Sequence, residues 1–219
     1  MKMDFGELSR AVWCGVWVAL CATAVGATAE DDDPIAFLKS HDAEVQAVLA
    51  EAPADSLPPA VREEIKKHIN AAFDFRELSR LALGDHWEER SPDERDHFAE
   101  TFSSIIREQN FDSFSRYYRE GEIRYESAEV QEDAAVVQAL APVRDEQIEI
   151  EYKLHRVEGV WRIYDLVIDG VSTAEGNRRR YARYIEKNGY EKLMAQLDKQ
   201  LARLRETVLS PPSGGATED

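Results

Sequence analysis

The chain has 219 residues, with 27 Lys or Arg against 43 Asp or Glu, a net charge of -16, and 43% hydrophobic and 32% charged residues. That length supports one sizeable core, and the apolar content is too high for wholesale disorder and too low for a multispanning membrane protein. The sign of the charge disfavours nucleic acid, which is held mainly by clustered Lys and Arg, and equally disfavours adsorption to an anionic membrane surface.

Lys2 and Arg10 precede an uncharged run from Ala11 to Ala29 that ends in Ala27-Thr28-Ala29, ahead of Glu30 and Asp31-Asp32-Asp33. This order is that of a secretory signal peptide over residues 1–29, the competing reading being an uncleaved anchor of near-spanning length. Cys14 and Cys21 follow Trp13 and Leu20, not the small residue that a lipoprotein signal requires. Cleavage leaves a mature chain without cysteine, and so without disulfides, thiol nucleophiles or cysteine metal sites.

Asp33-Pro34 predicts a helix start, with Ile35, Leu38, Val45, Val48 and Leu49 as its apolar stripe. A proline-rich loop over 51–59 follows. Val61, Ile65, Ile69 and Phe73 then recur every four residues on one face of a second helix, with Arg62, Glu63, Lys66 and Lys67 expected outside. Phe75, Leu78 and Leu81 mark a third helical piece that breaks at Gly84. Ser91-Pro92-Asp93-Glu94 combines an N-cap, a first-turn proline and a capping-box acid. The helix it opens carries Phe98, Phe102, Ile105 and Ile106, loses phase near Asn110, and resumes with Phe114, Tyr117 and Tyr118 before Gly121.

There the hydrophobic period changes to two. Turn residues at 131–133, 144–145 and 158–159 divide four strands of a meander. In the third strand Ile148, Ile150, Tyr152 and Leu154 face the core while Glu149, Glu151, Lys153 and His155 face water. In the fourth, Trp161, Ile163 and Val167 share one face, and Val160, Tyr164, Leu166 and Ile168 the other. Helix returns from about Glu175 to Lys187, stops at Asn188-Gly189, and ends in a stripe of Leu193, Leu197, Leu201, Leu204 and Val208. Residues 30–209 therefore read as one α+β domain with helices covering one face of a curved antiparallel sheet, and 210–219 as a disordered tail.

Few residues offer chemistry. The five histidines, His41, His68, His86, His97 and His155, lack metal-ligand spacing, and no nucleophile elbow or phosphate-binding glycine loop occurs. Asp165 stands out as an acid in an apolar strand: either a general base at a pocket floor, or a carboxylate satisfied by backbone or arginine. Arg178, Arg179, Arg180 and Arg183 form the densest basic cluster, either a solvated helix face or a contact for an anionic headgroup or acidic partner.

The order of Phe73-Asp74-Phe75, Leu83-Gly84, Trp87, Phe98, Phe102, Ile106, Tyr152, Leu154, Trp161 to Asp165, Gly170-Val171-Ser172, Arg178, Tyr181 and Gly189 resembles the MlaC-type (toluene-tolerance) family of periplasmic phospholipid carriers, over about Phe73 to Leu201. The chain departs from that pattern at Asn110, where the family usually has tyrosine, at Gly176-Asn177, and in its acidity. The resemblance implies a cone similar to the nuclear transport factor 2-like fold, its sheet and added helices enclosing a cavity for acyl chains, with no cofactor and no covalent chemistry. It also implies a periplasmic location and shuttling of phospholipid between an outer-membrane lipoprotein-porin complex and an inner-membrane ABC transporter bearing an MCE-domain ring, which maintains outer-membrane lipid asymmetry.

Apolar character and inward phase select Phe73, Phe75, Leu78, Leu81, Phe98, Phe102, Ile106, Val137, Ile150, Tyr152, Ile163 and Val167 as lining candidates. Arg178, Arg179 and Arg183 are the headgroup or partner candidates. Two other function classes stay open: an enzyme on the same cone with Asp165 as base beside Tyr152 or Tyr164, and an export chaperone or envelope interaction module docking through its terminal helices. The acidic exterior suits release from anionic membranes and also adaptation to high salt; a melting temperature that does not rise with salt would count against the latter.

Overall fold

The computed structural model describes residues 33–52, 57–143 and 146–209. The expected leader, the tail from Ser210, the turn at Arg144-Asp145 and the middle of the proline-rich loop lie outside the described residues. So do the side chains of Phe114, Tyr117 and Val208.

Helices α1 (Pro34–Glu51), α2 (Pro59–Ala71), α3 (Phe75–Leu83) and α4 (Pro92–Glu120) precede strands β1 (Arg124–Gln131), β2 (Ala134–Val143), β3 (Glu146–Val157), β4 (Val160–Ile168) and β5 (Val171–Ser172), and α5 (Thr173–Asn188) and α6 (Tyr190–Leu209) follow. The strands form one antiparallel sheet in chain order. The α+β class and the meander agree with expectation; a short fifth strand is added at the end. Among the described residues no helix is long and apolar enough to cross a membrane.

Local chemistry accounts for the element ends. Asp33 caps α1 by accepting from the Ile35 N–H at 2.9 Å. Ser91 and Glu94 close a reciprocal capping box on α4. Glu158-Gly159 and Asp169-Gly170 turn the chain with both residues at positive φ, the geometry of a two-residue hairpin.

Among the described residues three apolar clusters make up the core. Leu78, Leu83, Trp87, Phe98, Phe102, Tyr181, Leu193 and Leu197 join α3, α4, α5 and α6. The inner face of the sheet, with Val137, Ile150, Tyr152, Leu154, Trp161, Ile163 and Leu166, packs with Leu38 of α1. Val45, Ile65 and Phe111 tie α1, α2 and α4 together.

The loss of phase near Asn110 has its cause here. Helix α4 runs unbroken from Pro92 to Glu120, but Phe98, Phe102 and Ile105 serve the first cluster whereas Phe111 serves the third. One helix bordering two cores must rotate its stripe.

Three expectations are corrected. Phe73 is not on the second helix, because α2 ends at Ala71 and the chain there bridges to Ile163 of β4. Lys66 is not outside: it is buried, with its ammonium bonded to both Glu108 carboxylate oxygens at 2.8 Å and to Glu63 at 3.1 Å. Val167 does not share a face with Ile163. Leu154 pairs with Ile163 and Lys153 with Asp165, so Tyr164 is an extra, bulged residue. Past the bulge the alternation inverts, which puts Leu166 opposite Tyr152 on the core face and Val167 opposite Glu151 on the other. The edge strand β1 is exposed along almost its whole length and has an irregular register between Tyr125 and Ser127.

Candidate functional site

A narrow apolar slot opens where the three clusters meet. Leu78, Phe75 and Ile106 come from the helical cluster, Phe73 and Leu166 from the sheet cluster, and Ile69 and Phe111 from the third; Lys66, Asn70, Arg107 and Thr173 complete the wall. Its tight part measures about 30 Å³ within about 450 Å³ of atom-free space. Room for one or two water molecules is too little for an entire acyl chain, so a guest of that size must part the seam.

The Phe73-Asp74-Phe75 segment builds one wall. Beyond the end of α2 the chain lies parallel to β4, with the Asp74 N–H donating to the Ile163 carbonyl and the Ile163 N–H to that of Ala72, both at 2.8 Å. Asp74 then caps α3 by accepting from the Glu77 N–H at 2.9 Å, and its other oxygen lies 3.0 Å from His155 Nε2. Held on either side of this anchor, Phe73 and Phe75 stack with ring centroids 5.1 Å apart.

Of the twelve lining candidates, Phe73, Phe75, Leu78 and Ile106 line the slot. Phe98 and Phe102 lie in the helical core, stacked at 5.6 Å and each edged by Tyr181 at 6.0 Å. Val137, Ile150, Tyr152 and Ile163 lie in the sheet core. Leu81 packs against the helical cluster and lines a separate polar groove, and Val167 is on the opposite face of the sheet, as above.

Leu166, Phe111, Lys66, Asn70, Arg107 and Thr173 also line the slot and were not among the candidates. Leu166 had a visible signal, since Ile163 and Leu166 are three apart and break strict alternation. Ile69 was already on the α2 stripe.

The slot has a charged mouth. Lys66, Asn70 and Arg107 belong both to its wall and to an adjoining groove of about 280 Å³ that Glu63, Lys67, Ser104, Glu108 and Arg205 complete. Arg107 lays its guanidinium carbon 4.2 Å from the centroid of the Phe75 ring, and burial lowers its pKa from the ordinary arginine value. It remains a cation at neutral pH.

Asp165 is elsewhere. Its oxygens accept from the Ser172 hydroxyl at 2.6 Å and the Ala174 N–H at 2.9 Å, while Lys153 is 3.7 Å away. Ser172 in turn caps α5 by accepting from the Glu175 N–H at 3.0 Å. The carboxylate therefore fastens the start of α5 onto β4. The groove beside it, lined by Arg80, Gly84, Lys153, Tyr164 and Arg178 among others, is wider than the slot at about 440 Å³ but polar and open. Of the arginine candidates, Arg178 borders this groove and pairs with Glu175 at 3.0 Å, Arg179 approaches Glu175 at 3.8 Å, and Arg183 is exposed. None of the three lines the slot.

A helix-covered antiparallel meander with an apolar slot under its inner face places the chain in the α+β class. The family model described as MlaC protein matches residues 39–199, and the chain belongs to that family. Among solved structures it is similar to the phospholipid-binding protein from Ralstonia solanacearum in complex with a phospholipid. The two share 20% identity at a TM-score of 0.67, over 78% of this chain and 97% of that one. No curated protein sequence matches.

Proposed function

We propose that this chain is a periplasmic phospholipid carrier. It is exported by a cleaved leader over residues 1–29, takes acyl chain into the slot between Phe73, Phe75, Leu78, Ile106, Phe111 and Leu166, and performs no covalent chemistry. It passes lipid between an inner-membrane ABC transporter with an MCE-domain ring and an outer-membrane lipoprotein-porin complex. The observation that carries this reading is an apolar slot at the seam of three clusters in a chain of the MlaC family.

The energetics favour such a site. Each methylene withdrawn from water contributes about 0.8 kcal/mol, so a chain of some fifteen carbons needs roughly 12 kcal/mol of shielding to cross an aqueous space. The phospholipid bound by the Ralstonia solanacearum protein on a similar fold supports the assignment of the cargo. The engagement of both Asp165 oxygens within the fold supports a structural role for that carboxylate and weakens the reading of an enzyme on the same cone.

The test is native mass spectrometry of the protein purified from the periplasm without added lipid, followed by organic extraction. A bound mass of one phospholipid is expected. A protein that comes off the column lipid-free and takes none from vesicles overturns the proposal.

A further inference from the structure

Slot and charged groove meet at Arg107, whose side chain differs from its cationic neighbour in one respect. Lys66 is neutralised, with Glu108 on two sides and Glu63 on a third. Arg107 has no carboxylate partner among the described residues, its Nε is buried without a hydrogen-bond acceptor, and its contact is the Phe75 face. A buried guanidinium donor left without an acceptor is costly, and such groups are ordinarily satisfied. The groove around it holds Lys66, Lys67, Arg107 and Arg205 against only Glu63 and Glu108, a local cationic excess in a chain of net charge -16.

An apolar slot continuous with a cationic groove fits an amphiphile with an anionic end. A guanidinium offers forked donors that match phosphate oxygens two at a time, and the roughly 280 Å³ of the groove exceed what a carboxylate alone would fill. We propose that Arg107 is the anchor for the phosphate group of the amphiphile whose chain occupies the slot, with Lys67 and Arg205 flanking it. This rests on the carrier reading and deepens it. The phosphate sits where α4 passes α2, away from the α5 arginine cluster, and the chain runs inward from it past Phe75.

The full chain, purified and stripped of lipid, is offered phosphatidylcholine vesicles carrying a trace of fluorescent phosphatidylglycerol or of fluorescent diacylglycerol with the same chains. Uptake is read after the vesicles are removed. The wild type is expected to favour the phosphate-bearing probe about tenfold or more, the Arg107→Gln ratio to fall close to one, and Arg107→Lys to recover part of it. An equal ratio in wild type and folded Arg107→Gln overturns the assignment. If circular dichroism shows Arg107→Gln unfolded, the wild-type ratio and Arg107→Lys decide, and a wild-type ratio of one overturns it. Failure of the wild type to take up either probe sinks the carrier reading instead. Inorganic phosphate bound by such a protein, weakened in Arg107→Lys and lost in folded Arg107→Gln, would make Arg107 a site for the free anion and overturn the lipid assignment.

Discussion

Single residues show how functional-looking chemistry can serve the fold. Asp165 holds Ser172 and the Ala174 N–H, so Asp165→Asn is expected to cost about 1 to 3 kcal/mol in a urea melt, because an amide cannot accept at both positions. Lipid retention should survive in the molecules that fold. Asp42 and His41, neighbours on α1, titrate with opposite sign. Asp42 accepts from the Tyr118 and Tyr125 hydroxyls at 2.8 and 2.6 Å, and burial still raises its pKa above the ordinary 3.8. A raised carboxylate binds its proton more tightly when folded, so its contribution is fullest below 3.8 and is lost as pH rises through the folded value. His41 is lowered from 6.5, chiefly by burial, so the folded state disfavours its charged form, and stability is lost as pH falls below 6.5. Thermal melts across this range should show Asp42→Asn losing the first slope and His41→Phe losing the second. Gly84 is required where the third helix breaks: its φ is 60°, and a Cβ there would lie 2.9 Å from the Arg178 Cγ and Cδ. Arg178 thus has a packing role that its charge concealed.

Helix ends and strand alternation were legible in the sequence because both are written in neighbouring residues. The Ser91 box is the clearest case, and Ser91→Ala is expected to cost about 1 kcal/mol by urea denaturation, with the slope unchanged. What the sequence hid depends on partners far along the chain. Lys66 sits beside Ile65 on α2 and looks like a solvent-facing cation until α4 brings Glu108 to it from 42 residues away. The Tyr164 bulge exists only relative to β3, and it alone decides whether Leu166 or Val167 reaches the core. For the same reason only four of the twelve lining candidates border the slot, and Leu166, Phe111 and Arg107, which border it too, were not among them. The slot is a place where three clusters touch, and no single element's periodicity encodes a junction.

For the molecule as a whole, the three clusters behave as packing units with a seam between them. Widening the seam need not disrupt any one cluster, whereas filling it should block entry. Ile106→Trp, at a half-buried slot position, is expected to lower co-purified lipid at least about fivefold while costing only about 1 to 3 kcal/mol of stability, read by extraction and by melting. Unchanged lipid content in a folded variant would place the acyl chain elsewhere. The outer strand of the sheet carries a different consequence. Among the described residues β1 leaves one row of backbone donors and acceptors open beside Glu126 and Glu129, with its register broken between Tyr125 and Ser127. Such an edge invites another strand to add to it, and the kink together with the charged side chains along it, Glu129 and the Arg124–Glu126 pair at 3.0 Å, works against edge-to-edge docking of two copies. Replacing both glutamates by uncharged residues would leave the kink as the main obstacle, so clumping of such a variant should begin at this strand while the rest of the protein is still folded.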